Sequence, residues 1–205
     1  FQKKISFPVI LKTCRFGYDG KGQLRLPKQL STEEIGQAWN EFNDSRVVIE
    51  ECITLESEMS VLVARTPEEK IVNYDPVENI HRNHILDLSI VPARIPQDYL
   101  NLACETASEI ADCLNYVGLL AVEFFLSSDG RLIVNEIAPR PHNSGHHTIN
   151  ACHTSQFEQQ VRAVSGFPLG STKLLSPVIM MNLLGDLWQD SLTPVSYTHL
   201  RAHET

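Results

Sequence analysis

Two glutamates, Glu123 and Glu136, each sit in an apolar run, with Asp129-Gly130 between the runs. Asp-Gly between apolar runs signals a hairpin, because a two-residue type I′ turn needs positive φ at both central positions. With Asp129 and Gly130 in those positions, Ser128 faces Arg131 and, in the same register, Glu123 faces Glu136. Opposed side chains on one face have Cβ atoms roughly 5 Å apart. At an effective dielectric of about 20, two carboxylates there repel by on the order of 3 kcal/mol. Three readings stand open: the pair faces water, it shares a proton, or it holds a divalent cation of the oxygen-preferring Mg²⁺ type. Ala121, Phe125, Ile133 and Val134 make the strands apolar enough to be buried, and buried acids need partners, which favours the cation. Directly downstream, Arg140, His142, Asn143 and Ser144 lie in a stretch that is rigid at its prolines and rich in donors. A metal site running into an anion-binding loop suggests phosphate chemistry.

Other candidates lie nearer the start. Residues 7–12 read as a buried strand ending in Lys12, followed by Gly17, Gly20 and Gly22 with Tyr18, Asp19 and Lys21 between them and Gln23 at the close. A glycine-rich turn between strands lets backbone N–H groups approach phosphate oxygens; equally, it can be an ordinary hairpin. It is not a Walker A loop, since no GxxxxGK frame fits and no Ser or Thr follows Lys21. Glu50 and Glu58 stand at strand ends, where acids are solvated or accept hydrogen bonds from an amino group or ribose hydroxyls. A loop carries Glu78, Asn79, His81 and His84. His142, His146 and His147 could suggest zinc, but Pro139, Pro141 and Gly145 prevent the regular helix of an HExxH-type site.

The elements that must position these residues are α+β. Ser31 and Glu34 form a capping box opening a helix whose apolar face is Ile35, Ala38, Trp39 and Phe42. Strands are expected over 23–26, 47–49, 59–64, 71–74 and 177–184. The clearest helix spans 99–116, with Leu100, Ala103, Cys104, Ala107, Ile110, Ala111 and Leu114 on one stripe and Gly118 after its end. Cys104 there reads as core rather than redox chemistry. Ser155 and Glu158 make a second capping box, with Phe157, Val161 and Val164 inward and Gly166 as the stop. No regular βαβ repeat appears.

The 205 residues suffice for one large domain or two small ones. A hydrophobic content of 42% and a charged content of 20% fit a soluble globular chain. The net charge of −8, without a Lys/Arg cluster, argues against a nucleic-acid surface. Five cysteines without CxxC spacing indicate reduced thiols and a cytoplasmic location. No signal peptide or membrane span is recognisable; the apolar run at 117–126 is short and carries Glu123. Phe1 stands where an initiator Met would, so the chain is expected to start inside a protein. Residues 195–205 lack a core pattern and resemble translated sequencing adapter, so they are set aside with His199 and His203.

Lys12, residues 17–23 (GYDGKGQ), Glu58, His81, Glu123 and the run NEIAPRPHNSGH, followed by SQFEQQVRAV and PLG, together resemble the 5-(carboxyamino)imidazole ribonucleotide synthases of the ATP-grasp superfamily. The resemblance extends over residues 1–187. It implies an ATP-grasp fold of two α+β subdomains, with antiparallel sheets and packed helices, incomplete at both ends. The first subdomain would span 1–68 with the glycine-rich loop. The second would span 69–187 with the metal and carboxyphosphate site. A poorly structured tail would fill 188–205, with 195–205 non-native.

The activity so implied is ATP- and Mg²⁺-dependent carboxylation of aminoimidazole ribonucleotide on its exocyclic amine, in de novo purine (IMP) biosynthesis. ATP would phosphorylate bicarbonate to carboxyphosphate, and the amine would capture the carboxyl group. By the same resemblance, Lys12 and Gly17, Tyr18, Asp19, Gly20, Lys21, Gly22 and Gln23 would hold the phosphates. Glu50, Glu51, Cys52 and Ile53 would contact adenine, and Glu58 the ribose. His81, with Asn135 and Glu136, would contact the nucleotide. Glu123 and Glu136 would bind Mg²⁺, with Mn²⁺ the alternative ion. Arg140 and His142 would orient bicarbonate and carboxyphosphate, with Asn143 and Ser144 adding donors. Many ATP-grasp enzymes place a metal-binding Asn two residues after the second Glu; Ala138 stands there instead, as in the carboxyaminoimidazole branch and unlike biotin carboxylase or the peptide ligases. The partners would be these small molecules, without nucleic acid or membrane, and the full-length enzyme would be a homodimer. Two alternatives remain: a formate-using ATP-grasp ligase of purine synthesis, and an inactive nucleotide-binding module. Because ribonucleotide contacts in this family come largely from flanking domains, the fragment alone is expected not to carboxylate.

Overall fold

The structure, a computed structural model, describes residues 7–15, 22–28, 31–42 and 46–183. Contacts group the chain into two compact units, one reaching to Thr54 and including Asn83–Ile85, the other comprising Leu55–Arg82 and the residues from Leu86 onward. Among the described residues no helix is long and apolar enough to cross a membrane.

The first unit begins with β1 (Val9–Thr13) and β2 (Gln23–Leu26), continues through α1 (Thr32–Glu41) and ends in β3 (Val47–Glu51). Both neighbours pair antiparallel with β1, which is central. Alternation along β1 sends Val9 and Leu11 into a small core with Phe42. Lys12, on the other face, reaches Glu50 with Nζ 2.6 Å from Oε2. The expected capping box is present: Ser31 Oγ accepts from Glu34 N–H at 3.3 Å and Glu34 Oε2 accepts from Ser31 N–H at 2.8 Å. The apolar face behind it is only partly buried, because Ile35 is 53% and Trp39 40% exposed while Phe42 is 5%.

The second unit is built on β4 (Leu55–Arg65), β5 (Ile71–Asn73), β6 (Val77–Arg82), β7 (Ile85–Val91), α2 (Gln97–Cys113), β8 (Gly118–Ser127), β9 (Leu132–Ala138), α3 (Thr148–Ala151), α4 (Gln156–Val164) and β10 (Val178–Met181). Its sheet runs β10-β7-β6-β4-β8-β9, with β5 added alongside β4. Period-two alternation divides this sheet cleanly. Met59, Val61, Val63, Leu120, Val122, Phe124 and Leu126 point to one face and pack with Leu100, Ala103, Ala107 and Ala111 of α2. The opposite face carries Leu62, Ala64, Leu119, Ala121 and Ala138 at one end. At the other end, the same face carries Glu58, Ser60, Glu123 and Glu136.

Several expectations are corrected. The segment expected to be a loop carrying Glu78, Asn79, His81 and His84 forms the β6–β7 hairpin. Its tip is Asn83-His84, both at positive φ (50° and 66°), as a two-residue type I′ turn requires. The strand β4 starts earlier than expected, so Glu58 lies within it rather than before it. The helix α2 ends before Tyr116; Asn115 takes the left-handed conformation (φ 47°) and Tyr116 N–H reaches back to the Ala111 carbonyl at 3.0 Å. Leu114 is consequently outside the helix and 58% exposed.

The largest correction is to α4. Phe157, Val161 and Val164 are 44%, 58% and 52% exposed, whereas Gln156, Gln159 and Ala163 are fully buried. The inward face is set by backbone groups that lack strand or helix partners, which buried amides satisfy. Gln159 accepts from Gly170 N–H and donates to its carbonyl, and Gln160 accepts from Leu119 N–H. Gly166 stops the helix as expected, at φ 70°. Ser155 Oγ accepts from Glu158 N–H, while Glu158 turns to Arg162 at 2.7 Å instead of closing the box. The last strand is confined to Val178–Met181, and the residues expected to extend it past 183 lie outside the described ones.

Candidate active site

The two glutamates do face each other: Glu123 pairs with Glu136 across β8 and β9. They arrive there by a different route from the one expected. The turn has three residues, not two. Ser127 N–H bonds to the Arg131 carbonyl at 2.9 Å, Gly130 N–H bonds to Ser127 O at 2.9 Å, and only Gly130 (φ 80°) is left-handed. Asp129 uses its carboxylate locally, accepting from Ser127 Oγ and from Arg131 Nε. This turn pairs Phe124 with Val134 and, continued without interruption, would set Glu123 opposite Asn135. A β-bulge between the Glu123 and Phe124 rungs moves the register by one and brings Glu136 opposite. The residue it frees, Asn135, lies close enough for its side chain to draw the Glu123 pKa down.

Glu123 is mostly buried, with 18% of its side chain exposed, whereas Glu136 is exposed. Burial first, then the charges of Glu136 and Glu58, push the Glu123 carboxyl above its ordinary range, against the pull of His81 and Asn135. Two opposed acids with a third nearby form a negative site that a cation would neutralise. Among the described residues no three His, Cys, Asp or Glu side chains converge on one point. The pair offers the kind of oxygen donors that an ion such as Mg²⁺ takes, one or two carboxylates with water and phosphate oxygens completing the shell.

Beside the pair, Glu58 and His81 lie on adjacent strands of the same face, with His81 Nδ1 2.9 Å from Glu58 Oε2. This is an ion-pair approach rather than an aligned hydrogen bond, since Nδ1 finds no partner of good geometry. The neighbouring Glu58 carboxylate raises the His81 pKa despite partial burial.

The segment after β9 folds over the pair. His142 Nε2 lies 3.2 Å from Glu123 Oε1 and Nδ1 lies 2.9 Å from Ser144 Oγ. Burial, with the charges of Arg140, His146 and His81, holds this ring down to about 4, so it is neutral at pH 7. Gln156 of α4 grips the His142 backbone from below, donating to its carbonyl at 2.7 Å and accepting from its N–H at 2.9 Å. Gly145 allows the segment to press onto the sheet, because a Cβ there would meet Leu62 Cδ1 at 2.4 Å and Gln156 Oε1 at 2.6 Å. The other two histidines serve the scaffold: His147 Nδ1 contacts the Ser144 carbonyl at 3.0 Å, and His146 stacks on Phe157.

Thus Glu58, His81, Glu123, Asn135, Glu136, Arg140, His142, Asn143 and Ser144 all belong to the second unit. The charge of Arg140 is felt at His142, and its Nη1 donates to the Pro141 carbonyl. Asn143 Oδ1 accepts from Ser144 N–H. In the first unit Lys12 and Glu50 form their own ion pair, Glu51 lies on β3 opposite Val9, and Cys52 N–H bonds to Pro8 O. Ile53 follows at intermediate exposure. Gly22 (φ 69°) accepts from Thr13 N–H through its carbonyl, and Gln23 pairs with Lys12. Gly17, Tyr18, Asp19, Gly20 and Lys21 lie outside the described residues. The sequence points to Asn79 only as a loop residue and gives no sign of Ser60, Ser89 and Gln156 as parts of the site. The run containing Gln156 was noticed, but its polar residues had no evident partner in the sequence.

Comparison with known proteins agrees with this architecture. The ATP-grasp domain model matches residues 1–157. An N5-carboxyaminoimidazole ribonucleotide synthase of Bacillus subtilis (strain 168) is 49% identical over 184 residues, 90% of this chain and 48% of the relative. A Staphylococcus aureus N5-carboxyaminoimidazole synthetase structure complexed with ADP is 41% identical with a TM-score of 0.80, over 88% of this chain and 48% of that one. An Aspergillus clavatus N5-carboxyaminoimidazole synthase in complex with ADP and 5-aminoimidazole ribonucleotide is 30% identical with a TM-score of 0.78, over 89% and 47%. The chain spans about half the length of the curated relatives it matches. On the fold, the opposed acids and the family match together, the chain belongs to the ATP-grasp family.

Proposed function

We propose that this chain is the nucleotide- and bicarbonate-handling part of an N5-carboxyaminoimidazole ribonucleotide synthase. Such an enzyme carboxylates aminoimidazole ribonucleotide with bicarbonate at the expense of ATP. The observation that carries this reading is the facing pair Glu123–Glu136 with the His142 ring beside it. The relatives named for this activity and the relative seen with ADP and 5-aminoimidazole ribonucleotide support it. Glu123 and Glu136 would hold Mg²⁺, which neutralises phosphate charge when bound; Asn135 keeps Glu123 oriented. Arg140 and His142 offer a cation and a neutral ring to an anion such as carboxyphosphate, with Asn143 positioning the backbone of Ser144. In the first unit, Lys12 is the proposed phosphate contact, and Glu50, Glu51, Cys52 and Ile53 are the proposed adenine contacts. Gly17, Tyr18, Asp19, Gly20, Lys21, Gly22 and Gln23 would cover the phosphates, with Glu58 and His81 on the ribose side.

Phosphate release from ATP and Mg²⁺ tests the reading. Stimulation by bicarbonate supports it, and label from bicarbonate appearing in the ribonucleotide completes it. Stimulation by formate favours the formate-using ligase, and ATP binding without stimulation by either favours an inactive module. Failure to bind ATP at all overturns all three. Being half the length of its relatives, the chain is proposed to bind ATP and release phosphate slowly without efficient carboxylation. The longer protein would be cytoplasmic and homodimeric; the exposed strip Phe157, Val161, Val164 and Phe167 supports a protein contact, and sedimentation in an ultracentrifuge reads it.

A further inference from the structure

One line of buried hydrogen bonds crosses the sheet and ends at His142. Ser89 Oγ donates to Asn79 Oδ1 at 3.0 Å, Asn79 Nδ2 donates to Ser60 Oγ at 2.9 Å, and Ser60 Oγ donates to Ser144 Oγ at 2.8 Å. Ser144 Oγ then lies 2.9 Å from His142 Nδ1. The three serines are fully buried, Asn79 is 6% exposed and His142 is 7%. Such side chains in a dry sheet are costly unless every proton has an acceptor.

The line has a direction. An amide nitrogen only donates and an amide oxygen only accepts, while a hydroxyl has a single proton to give. Of the partners of Ser60 Oγ, the Asn79 nitrogen cannot accept, so the Ser60 proton goes to Ser144. Ser144 receives from Ser60, so its own proton is left for His142 Nδ1, which accepts only if bare. A ring that accepts this bond at Nδ1 carries its proton on Nε2. We propose that Asn79, acting through Ser60 and Ser144, is the positioning residue that fixes His142 as the Nε2–H tautomer. Ser144 accordingly serves the ring rather than a substrate. On the carboxylation reading, His142 presents a hydrogen-bond donor and not a base to the carboxylate or phosphate oxygen it meets. That consequence rests on the proposed function; the tautomer does not.

Glu123, 3.2 Å from Nε2, could select the same tautomer from the other side, and the test separates the two causes. Long-range ¹H–¹⁵N correlation on the histidine-labelled 205-residue chain distinguishes bare from protonated ring nitrogens, with the His142 signals identified by their loss in His142→Gln. The wild-type chain is expected to show Nε2–H, and Glu123→Leu to keep it. Adding Asn79→Leu to Glu123→Leu should lower the Nε2–H to Nδ1–H ratio about tenfold, the change expected for loss of one buried hydrogen bond. A wild-type Nδ1–H ring, mixing already present in Glu123→Leu, or an unchanged ratio in the folded double variant would each overturn the proposal. Should thermal melting show the double variant unfolded, Ser89→Ala in the Glu123→Leu background replaces it at the far end of the line, with the same expectations. A chain that shows the relayed tautomer yet never uses bicarbonate would sink the proposed function and leave this inference standing.

Discussion

Replacing Glu136 by Gln should make the metal-free protein more stable and less active. Glu136 faces Glu123 across the bulged rung, so Cβ atoms sit roughly 5 Å apart. At that distance Coulomb's law gives about 3 kcal/mol at an effective dielectric of 20 and under 1 kcal/mol in bulk water. Because Glu136 is exposed while Glu123 is mostly buried, a value near 1 kcal/mol is expected. For a chain of this length that corresponds to a rise in Tm of roughly 2–4 °C. The pH dependence follows from the raised pKa of Glu123. An acid raised on folding adds no penalty below its unfolded value and the full penalty once pH passes its folded value. The gap between variant and wild type should therefore vanish in acid, open as pH rises through the Glu123 titration and shrink in high salt. Adding Mg²⁺ should raise the wild-type Tm and leave the variant nearly unmoved, since the ion binds only the folded wild-type pair tightly. Differential scanning calorimetry from pH 3.5 to 8, with and without Mg²⁺, measures all of this. A variant that melts at or below the wild type at pH 8 and low salt would show that the carboxylates do not repel, and the metal-site argument would fall with it.

Gly145→Ala should cost about 1–3 kcal/mol, because its Cβ meets Leu62 and Gln156 inside normal contact. Gly36→Ala, on α1 with nothing within 4 Å, should instead gain about 0.5–1 kcal/mol; urea melts of the two variants should move in opposite directions. Gln156→Leu strips two hydrogen bonds from the His142 backbone inside the protein, and a loss of roughly 1–3 kcal/mol in the same melts is expected. Glu58→Gln should lower the His81 pKa, since the carboxylate is the main influence raising it and burial would then be opposed by the Glu123 charge alone; NMR titration of the ring reads the shift, and an unchanged value would mean their 2.9 Å approach carries no charge coupling.

What could be read from the sequence was the facing of Glu123 and Glu136, more than the elements that hold them. The pairing of Glu123 with Glu136 was inferred from a two-residue turn that does not form. A three-residue turn slipped the register by one and the bulge at Asn135 slipped it back. Neither was visible, because Asp-Gly suits both turns and a bulge leaves no gap in an apolar pattern. Where strands carry the site, alternation itself is concealed. Along β6 the inward positions include Val77, Asn79 and His81, so the polar residues that serve the site erase the apolar beat that would announce a strand. The helix α4 fails for the same reason in mirror image. Its inward residues are glutamines whose partners are the backbones of His142, Gly170 and Leu119, and its apolar residues are left outside. By contrast, α2 packs on the apolar face of the sheet, and there the stripe Leu100, Ala103, Ala107 and Ala111 is legible. Hydrophobic periodicity thus finds the face that stabilises this sheet, and it misreads the face that carries the buried polar residues. Apolar pattern and polar satisfaction compete there for the same positions, and buried polar groups without partners cost more than an exposed Phe157 or Val161.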